Sequence, residues 1–311
     1  MSGDKSIDIV SIGEPLMELA ETERAGERLY APGHGGDCSN AAIAAARHGA
    51  RVAMLTAVGD DASGRSFLDL WDREGVDRTH VICREGERTG VYMISYGPDG
   101  HDFSYYRQGS AASLITPAEI PATTIARARV VHASGISQAI STSCADAVFA
   151  AMRMAREAGT LVSYDTNLRL RLWPLDRARA VIQAAAAMSD IVLPGLDDAR
   201  KLTGLDAPEE ICALYLRLGA RVVALTLGAD GAMIATPEGV ATIPARRVAA
   251  VDATGAGDAF DGAFLADYLL HGDAVRAGEY ANAAAALSVT GYGAVGPLPT
   301  QAEVEGFISN G

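Results

Sequence analysis

The stretch VDATGAGDAFDGAF, Val251 to Phe264, places Gly255, Ala256 and Gly257 directly before Asp258 and then turns apolar. Phe260, Phe264, Leu265 and Tyr268 recur at helical spacing, which predicts a helix starting near Gly255–Asp258. The first turn of a helix leaves about four N–H groups without intrahelical acceptors, and the macrodipole adds partial positive charge there. Glycines let an anion, a phosphate above all, come close to those groups. Asp258 in that turn has two readings. It can simply complement the dipole. Beside an anion site its charge would repel a bound phosphate, and it then makes sense as a base that takes the proton from a hydroxyl attacking phosphorus.

Rival phosphate motifs fail on inspection. GAGDAF is not a GxGxxG fingerprint, because Phe260 stands where the third glycine belongs, and GxxxxGK[ST] does not occur. The only lysines are Lys5 and Lys201, neither beside a glycine loop. Phosphate would therefore be held by backbone N–H groups and arginine. SIGEPLME carries one glycine after the first apolar run, which argues against a dinucleotide-binding dehydrogenase.

The elements that must position this turn alternate along the chain. Apolar runs such as IDIVSIG, RVAMLTAVG, ARVVHASG, TLVSYDTN, DIVLPG and RVVALTLG read as strands. Between them CSNAAIAAARHGA, DASGRSFLDLWDREGV, TSCADAVFAAMRMAREAG, LDRARAVIQAAAAMS and PEEICALYLRLGA read as helices. The alternation predicts an α/β fold with a mainly parallel sheet covered on both faces. RRVAAVDATG reads as extended. Two segments break the rhythm, Glu18–Pro32 and Glu87–Gln108. In the second, GVYMISY and HDFSYYR flank the turn GPDG and read as an aromatic β-hairpin. Such an insertion serves as a decorative edge, an oligomer contact or a lid over a site.

Composition narrows the partners. The 311 residues carry a net charge of −13, which makes nucleic acid a poor partner. Cys38, Cys83, Cys144 and Cys212 show no metal or disulfide spacing and read as buried reduced thiols. MSGDKSIDIVSIGE has no apolar signal core, and no run approaches the roughly 20 residues of a membrane span. A cytoplasmic location is the expectation.

DATGAGDAFDGAF closely resembles the C-terminal signature of the ribokinase-like (PfkB) carbohydrate kinases. GGDCSNAAIAAARHGARVAMLTAVGDDASGRSF, Gly35 to Phe67, resembles their N-terminal signature. The resemblance covers essentially the whole chain. It implies a three-layer α/β/α body with a mainly parallel sheet, in a single kinase domain over 1–311. A small β-sheet lid would be inserted at about 15–34 and 87–110. It implies Asp258 as catalytic base and the amides of Gly255, Ala256 and Gly257 as anion hole. LTLGADGAM resembles the family's nucleotide loop, which points to Thr226, Gly228 and Gly231 near ATP, with Asn282 beside adenine. Asp252 and Thr254 resemble positions that help bind a monovalent cation such as K⁺. Mg²⁺ would accompany ATP. Relatives often carry Asn-x-x-Glu where this chain has GLDD, Gly195 to Asp198. Asp198 keeps a carboxylate for Mg²⁺ through water, and Asp165–Asn167 could share that role.

Arg107 and Arg169 are either solvated surface arginines or a clamp for a substrate carboxylate, which guanidinium matches bidentately. GEPLMEL, YYRQGSAAS, HASGISQAIS and DTNLRLRLW resemble stretches of the 2-keto-3-deoxygluconate kinases within the family. That likeness implies a sugar-acid site lined by Gly35, Gly36, Asn40, Tyr92, Tyr105, Arg107 and Arg169. The reaction would be phosphorylation of the terminal hydroxyl, feeding an Entner–Doudoroff-type route. Glu14 or Glu18 would touch sugar hydroxyls, or Glu14 is a turn acid. The alternatives are a kinase of a neutral sugar, such as a fructokinase, and a non-catalytic nucleotide- and sugar-binding sensor. The aromatic hairpin suggests a homodimer formed through the lid.

Overall fold

The computed structural model describes residues 5–24, 27–97 and 100–310. Eight strands form one sheet, in the order Gly239–Pro244, Gly231–Thr236, Val222–Thr226, Ile191–Leu193, Leu161–Asp165, Ala128–Ser134, Ile7–Ile12 and Val52–Leu55. All pairings from Val222–Thr226 onward are parallel. The first two strands form an antiparallel edge that the sequence reading did not single out.

The parallel strands are continuous apolar runs because both faces are covered. Successive side chains point to opposite faces. Ile9 and Val130 pack with Phe67, Trp71, Phe260 and Phe264. Their neighbours Val10 and Val131 pack with Val148, Met152, Tyr164 and Trp173. Each large apolar side chain so buried contributes about 1.5–3 kcal/mol. The result is the three-layer α/β/α body expected.

Several helices start where the sequence supplies a side-chain cap. Ser141 accepts from the Cys144 N–H at the head of Thr142–Glu157. Asp61 accepts from the Gly64 N–H at 2.6 Å and from the Thr89 N–H at 2.8 Å, tying the Ala62–Arg73 helix to the entrance of a second sheet.

That second sheet has the order Glu27–Gly35, Leu16–Arg24, Gly90–Gly97, Gly100–Tyr106. Its central pair is parallel and its outer pairs are antiparallel. Both rhythm-breaking segments thus belong to one sheet. The aromatic arms pair as a hairpin, Tyr92 opposite Tyr105. Pro98 and Asp99 of the GPDG turn, with Met1–Asp4, Ala25, Gly26 and Gly311, lie outside the described residues. Leu16, Tyr92 and Ile94 are its small buried core.

The segment 246–255, read as extended, joins no sheet and is tied by the Val251 and Asp252 N–H groups to the Val289 carbonyl. One local expectation needs correction. Cys83 is exposed, while Cys38, Cys144 and Cys212 are buried free thiols. No helix among the described residues is long and apolar enough to cross a membrane.

Candidate active site

The late helix runs Ala256–His271. It starts at Gly255, whose φ of 77° lies in the left-handed region that favours glycine. A Cβ there would also press on Ala294 at 3.1–3.2 Å. Gly257 and Asp258 offer N–H groups that have no acceptor among the described residues. The Ala256 N–H instead turns back to the Ala253 carbonyl at 3.2 Å. The Gly255 N–H likewise has no acceptor among the described residues, so the free donors at this helix start are those of Gly255, Gly257 and Asp258.

Asp258 is positioned by helix packing. Gly262, one turn further on, lies against the Asp37–Arg47 helix, where a Cβ would meet the Ala41 carbonyl at 2.4 Å. That close approach brings Asn40 to Asp258: its Nδ2 donates to Oδ2 at 2.7 Å. Asn40 Oδ1 is buried with no partner. Burial, then the Asp37 carboxylate, push the Asp258 carboxyl up to about 7, against the pull of Asn40 and Arg169. A carboxyl titrating near neutrality beside free amides can accept a proton from an alcohol.

Three further carboxyls share this floor; the sequence reading gave Asp165 a share in Mg²⁺ binding and gave Asp37 and Asp261 no part. Asp37 opens the first helix and accepts from the Ser134 hydroxyl and from Asn167 Nδ2 at 3.2 Å. Asp165 ends the Leu161–Asp165 strand, and its Oδ1 caps the Asn167 N–H at 3.0 Å. Asp261 lies three residues after Asp258 on the same helix, beside Asp165. Burial, then the neighbouring acids, hold both Asp165 and Asp261 well above the usual carboxylate range. The only signal for Asp261 was its i+3 spacing from Asp258.

A cleft of about 1040 Å³ opens above these groups, between the two sheets. Gly36, Asn40, Tyr92, Tyr105, Arg107 and Arg169 all line it with Asp258. Gly35 does not line it. Its part is to let Tyr92 close in, since a Cβ would lie 2.6 Å from the Tyr92 hydroxyl. Tyr92 donates to Glu18 and stacks on Tyr105 with ring centres 5.8 Å apart. Glu18 thus sits behind Tyr92, while Glu14 faces the cleft.

Both arginines have partners. Arg107 donates to Glu14, and its guanidinium lies 5.4 Å from the Tyr105 ring centre. Burial, then Arg169 nearby, lower its pKa to about 10. Glu14 Oε2 and Arg107 Nε are left buried and unpartnered. Arg169 is half-exposed and lies 3.6 Å from Asp198. Asp198 also lines the cleft and accepts from the Leu168 N–H at 3.0 Å.

At the other end Thr226 and Thr254 line the cleft. Gly228 takes a left-handed turn after Thr226. Gly231, φ 106°, starts the antiparallel edge, and a Cβ there would strike the Ile243 carbonyl at 2.1 Å. Asn282 does not reach the cleft; it is buried and donates to the Pro244 carbonyl at 2.9 Å. Asp252 is buried too. Its Oδ1 accepts from the Thr254 N–H and hydroxyl, and its Oδ2 from the Gly293 N–H.

A model of the pfkB family carbohydrate kinases matches residues 6–301, and the chain belongs to that family. It is 36% identical to fructokinase-1 of Oryza sativa subsp. japonica, over 95% of this chain and 96% of that protein. It is also 36% identical to 2-dehydro-3-deoxygluconokinase of Thermoproteus tenax, over 97% and 94%. Among solved structures, fructokinase from Vibrio cholerae O395 in its fructose-, ADP- and calcium-bound form superposes with a TM-score of 0.87 at 28% identity, over 98% of this chain and 99% of that one. The fold is ribokinase-like, and the protein is a carbohydrate kinase.

Proposed function

We propose that the chain transfers the γ-phosphoryl group of ATP to the terminal hydroxyl of 2-keto-3-deoxy-D-gluconate, giving the 6-phosphate. Asp258 takes the hydroxyl proton as the oxygen attacks phosphorus, the bond to the β-phosphate oxygen breaks, and ADP leaves. The free N–H groups of the Gly255–Asp258 turn hold the charge on the group in transit. One structural relationship carries the sugar-acid reading: Arg107 and Arg169 line the same cleft as Asp258. A carboxylate at that end would meet two guanidinium groups. Gly36, Asn40, Tyr92 and Tyr105 would shape the sugar site, with Gly35 setting Tyr92. The Thr226–Gly231 turn would face the nucleotide.

ATP and a divalent ion are supported by relatives solved with ATP and Mg²⁺, and with ADP and calcium. The described residues contain no cluster of three or more His, Cys, Asp or Glu able to hold a metal. This fits a Mg²⁺ that rides on the ATP phosphates and neutralises them, with Asp198 reached through water. A K⁺ site at Asp252 and Thr254 fits less well, since both Asp252 oxygens already accept hydrogen bonds. We read the small sheet as the lid of one kinase domain. Leu29, Tyr30 and Tyr106, exposed on it, suit a homodimer contact.

A neutral-sugar kinase is the second reading. It is favoured by the pairing of each arginine with an acid, Arg107 with Glu14 and Arg169 with Asp198. An ATP-coupled assay over keto-deoxy sugar acids and neutral ketoses separates the two. Turnover of the acid at least tenfold above fructose in kcat/KM is the expected result. Turnover of fructose without the acid would overturn the substrate assignment.

A further inference from the structure

Among the described residues four cations line the cleft: Arg107, Arg169, Arg171 and Lys201. Three of them are engaged. Arg107 pairs with Glu14, Arg169 pairs with Asp198, and Arg171 donates from Nη1 to the Phe103 carbonyl at 2.7 Å. The Lys201 ammonium has no hydrogen-bond or ion-pair partner among the described residues. The chain's other lysine is the opposite case: Lys5 donates to the Ala126 and Ala128 carbonyls and to Thr160 at 2.7–3.1 Å. Lys201 stands in the last turn of the Leu196–Thr203 helix, where a lysine can simply complement the dipole. Arg179 already fills that part. It donates twice to the Lys201 carbonyl, at 3.0 and 2.7 Å, and Gln183 donates to the Leu202 carbonyl. These bonds pin the turn to the Leu175–Ala186 helix and leave Lys201 exposed at the cleft. The Leu196–Thr203 helix also starts on the Thr226–Gly231 turn. Gly195 pairs with Thr226, whose N–H donates to the Pro194 carbonyl at 2.9 Å. Asp198 lies in the helix's first turn, three residues before Lys201 and on the same face, close enough to feel its charge.

We propose that Lys201 binds the γ-phosphate of ATP and brings to it the positive charge that the glycine turn lacks. A metal riding on ATP neutralises only part of the triphosphate. The floor beneath is acidic, with Asp37, Asp165, Asp258 and Asp261 all lining the cleft. Both arginines nearest that floor are already paired with acids. An ammonium is a compact charge with three rotatable donors on a long stem, which suits a group whose oxygens move during transfer. No lysine stands beside the Gly255–Asp258 turn in sequence; the fold brings one to the same cleft from another helix. The inference rests on the kinase reading and is indifferent to which sugar is phosphorylated.

Lys201→Met removes the charge at nearly constant length, and Lys201→Arg keeps it. Titration calorimetry of ATP and of ADP, each with Mg²⁺, reads the contact without turnover. Lys201→Met is expected to weaken ATP about tenfold or more and ADP by less than about threefold, with Lys201→Arg close to wild type for both. Undiminished ATP affinity in Lys201→Met would overturn the proposal and leave a solvated surface lysine. An equal loss for ATP and ADP would overturn the assignment to the γ-phosphate. Undiminished ATP affinity with a raised KM for a sugar acid would overturn it in favour of the substrate carboxylate. The melting temperature of Lys201→Met is expected to match wild type, because the ammonium bonds nothing in the fold; a clear fall would count against a free cation. Wild-type protein that does not bind ATP would sink the kinase reading, and this inference with it. Wild type that binds ATP beside an unaffected variant sinks the inference alone.

Discussion

Asn40 and Asp258 stand 218 positions apart in sequence, yet the Asn40 amide donates to the Asp258 carboxylate at 2.7 Å. The bond joins the heads of two helices whose close packing is allowed by Gly262. It holds Asp258 with its Oδ2 engaged, beside the free amides of its own helix start. The site's chemistry therefore depends on a helix crossing as much as on the carboxylate.

Packing at that crossing is the first test. Gly262→Ala would place a methyl 2.4 Å from the Ala41 carbonyl and 2.6 Å from the Ala44 Cβ. The helices must separate, at about 1–3 kcal/mol. Denaturant unfolding is expected to show that loss, and kcat is expected to fall with it because Asn40 leaves Asp258. Loss of stability with kcat intact would separate the two.

Stability should depend on pH through Asp258. Its carboxyl is raised from 3.8 to about 7 in the folded state. The native state therefore binds the proton more tightly than the unfolded chain. Stability on this account falls as pH rises from about 4 to 7 and is flat above. Asp258→Asn removes that term. The variant is expected to match wild type near pH 4 and to exceed it at pH 8 by on the order of 4 kcal/mol, read by chemical denaturation at both values. A variant less stable at pH 8 would contradict the raised carboxyl.

The two arginines should part company. Arg107 is buried against Glu14, so Arg107→Ala leaves a buried carboxylate unpaired and is expected to cost about 3–5 kcal/mol of stability. Adding Glu14→Gln should recover much of it. Arg169 is half-exposed, so Arg169→Ala should leave the melting temperature almost unchanged while raising KM for a sugar acid about tenfold or more. Equal KM values for acid and fructose in that variant and in wild type would remove Arg169 from the carboxylate site.

Much of the body was legible because parallel strands are apolar on both faces and several helices carry caps or glycine stops. Asp258 was legible because helical periodicity and the glycines fixed a helix start in front of it. Two of its companions were not. Asp37 and Asp261 look like ordinary acids until the sheet and two helices bring them together, whereas Asp165 was picked out only for a share in Mg²⁺ binding. The Glu27–Gly35 strand was placed in the lid by resemblance and not by its own pattern: it is exposed along most of its length, so burial imposed no alternation. The pairing of Glu14 with Arg107 crosses 93 residues and two sheets, beyond the reach of local pattern.

The most direct measurement is single-turnover phosphoryl transfer by Asp258→Asn at pH 8, with ATP and sugar binding measured alongside. The expected result is a rate lower by about a thousandfold with both ligands still bound. Transfer at the wild-type rate would contradict Asp258 as the proton acceptor.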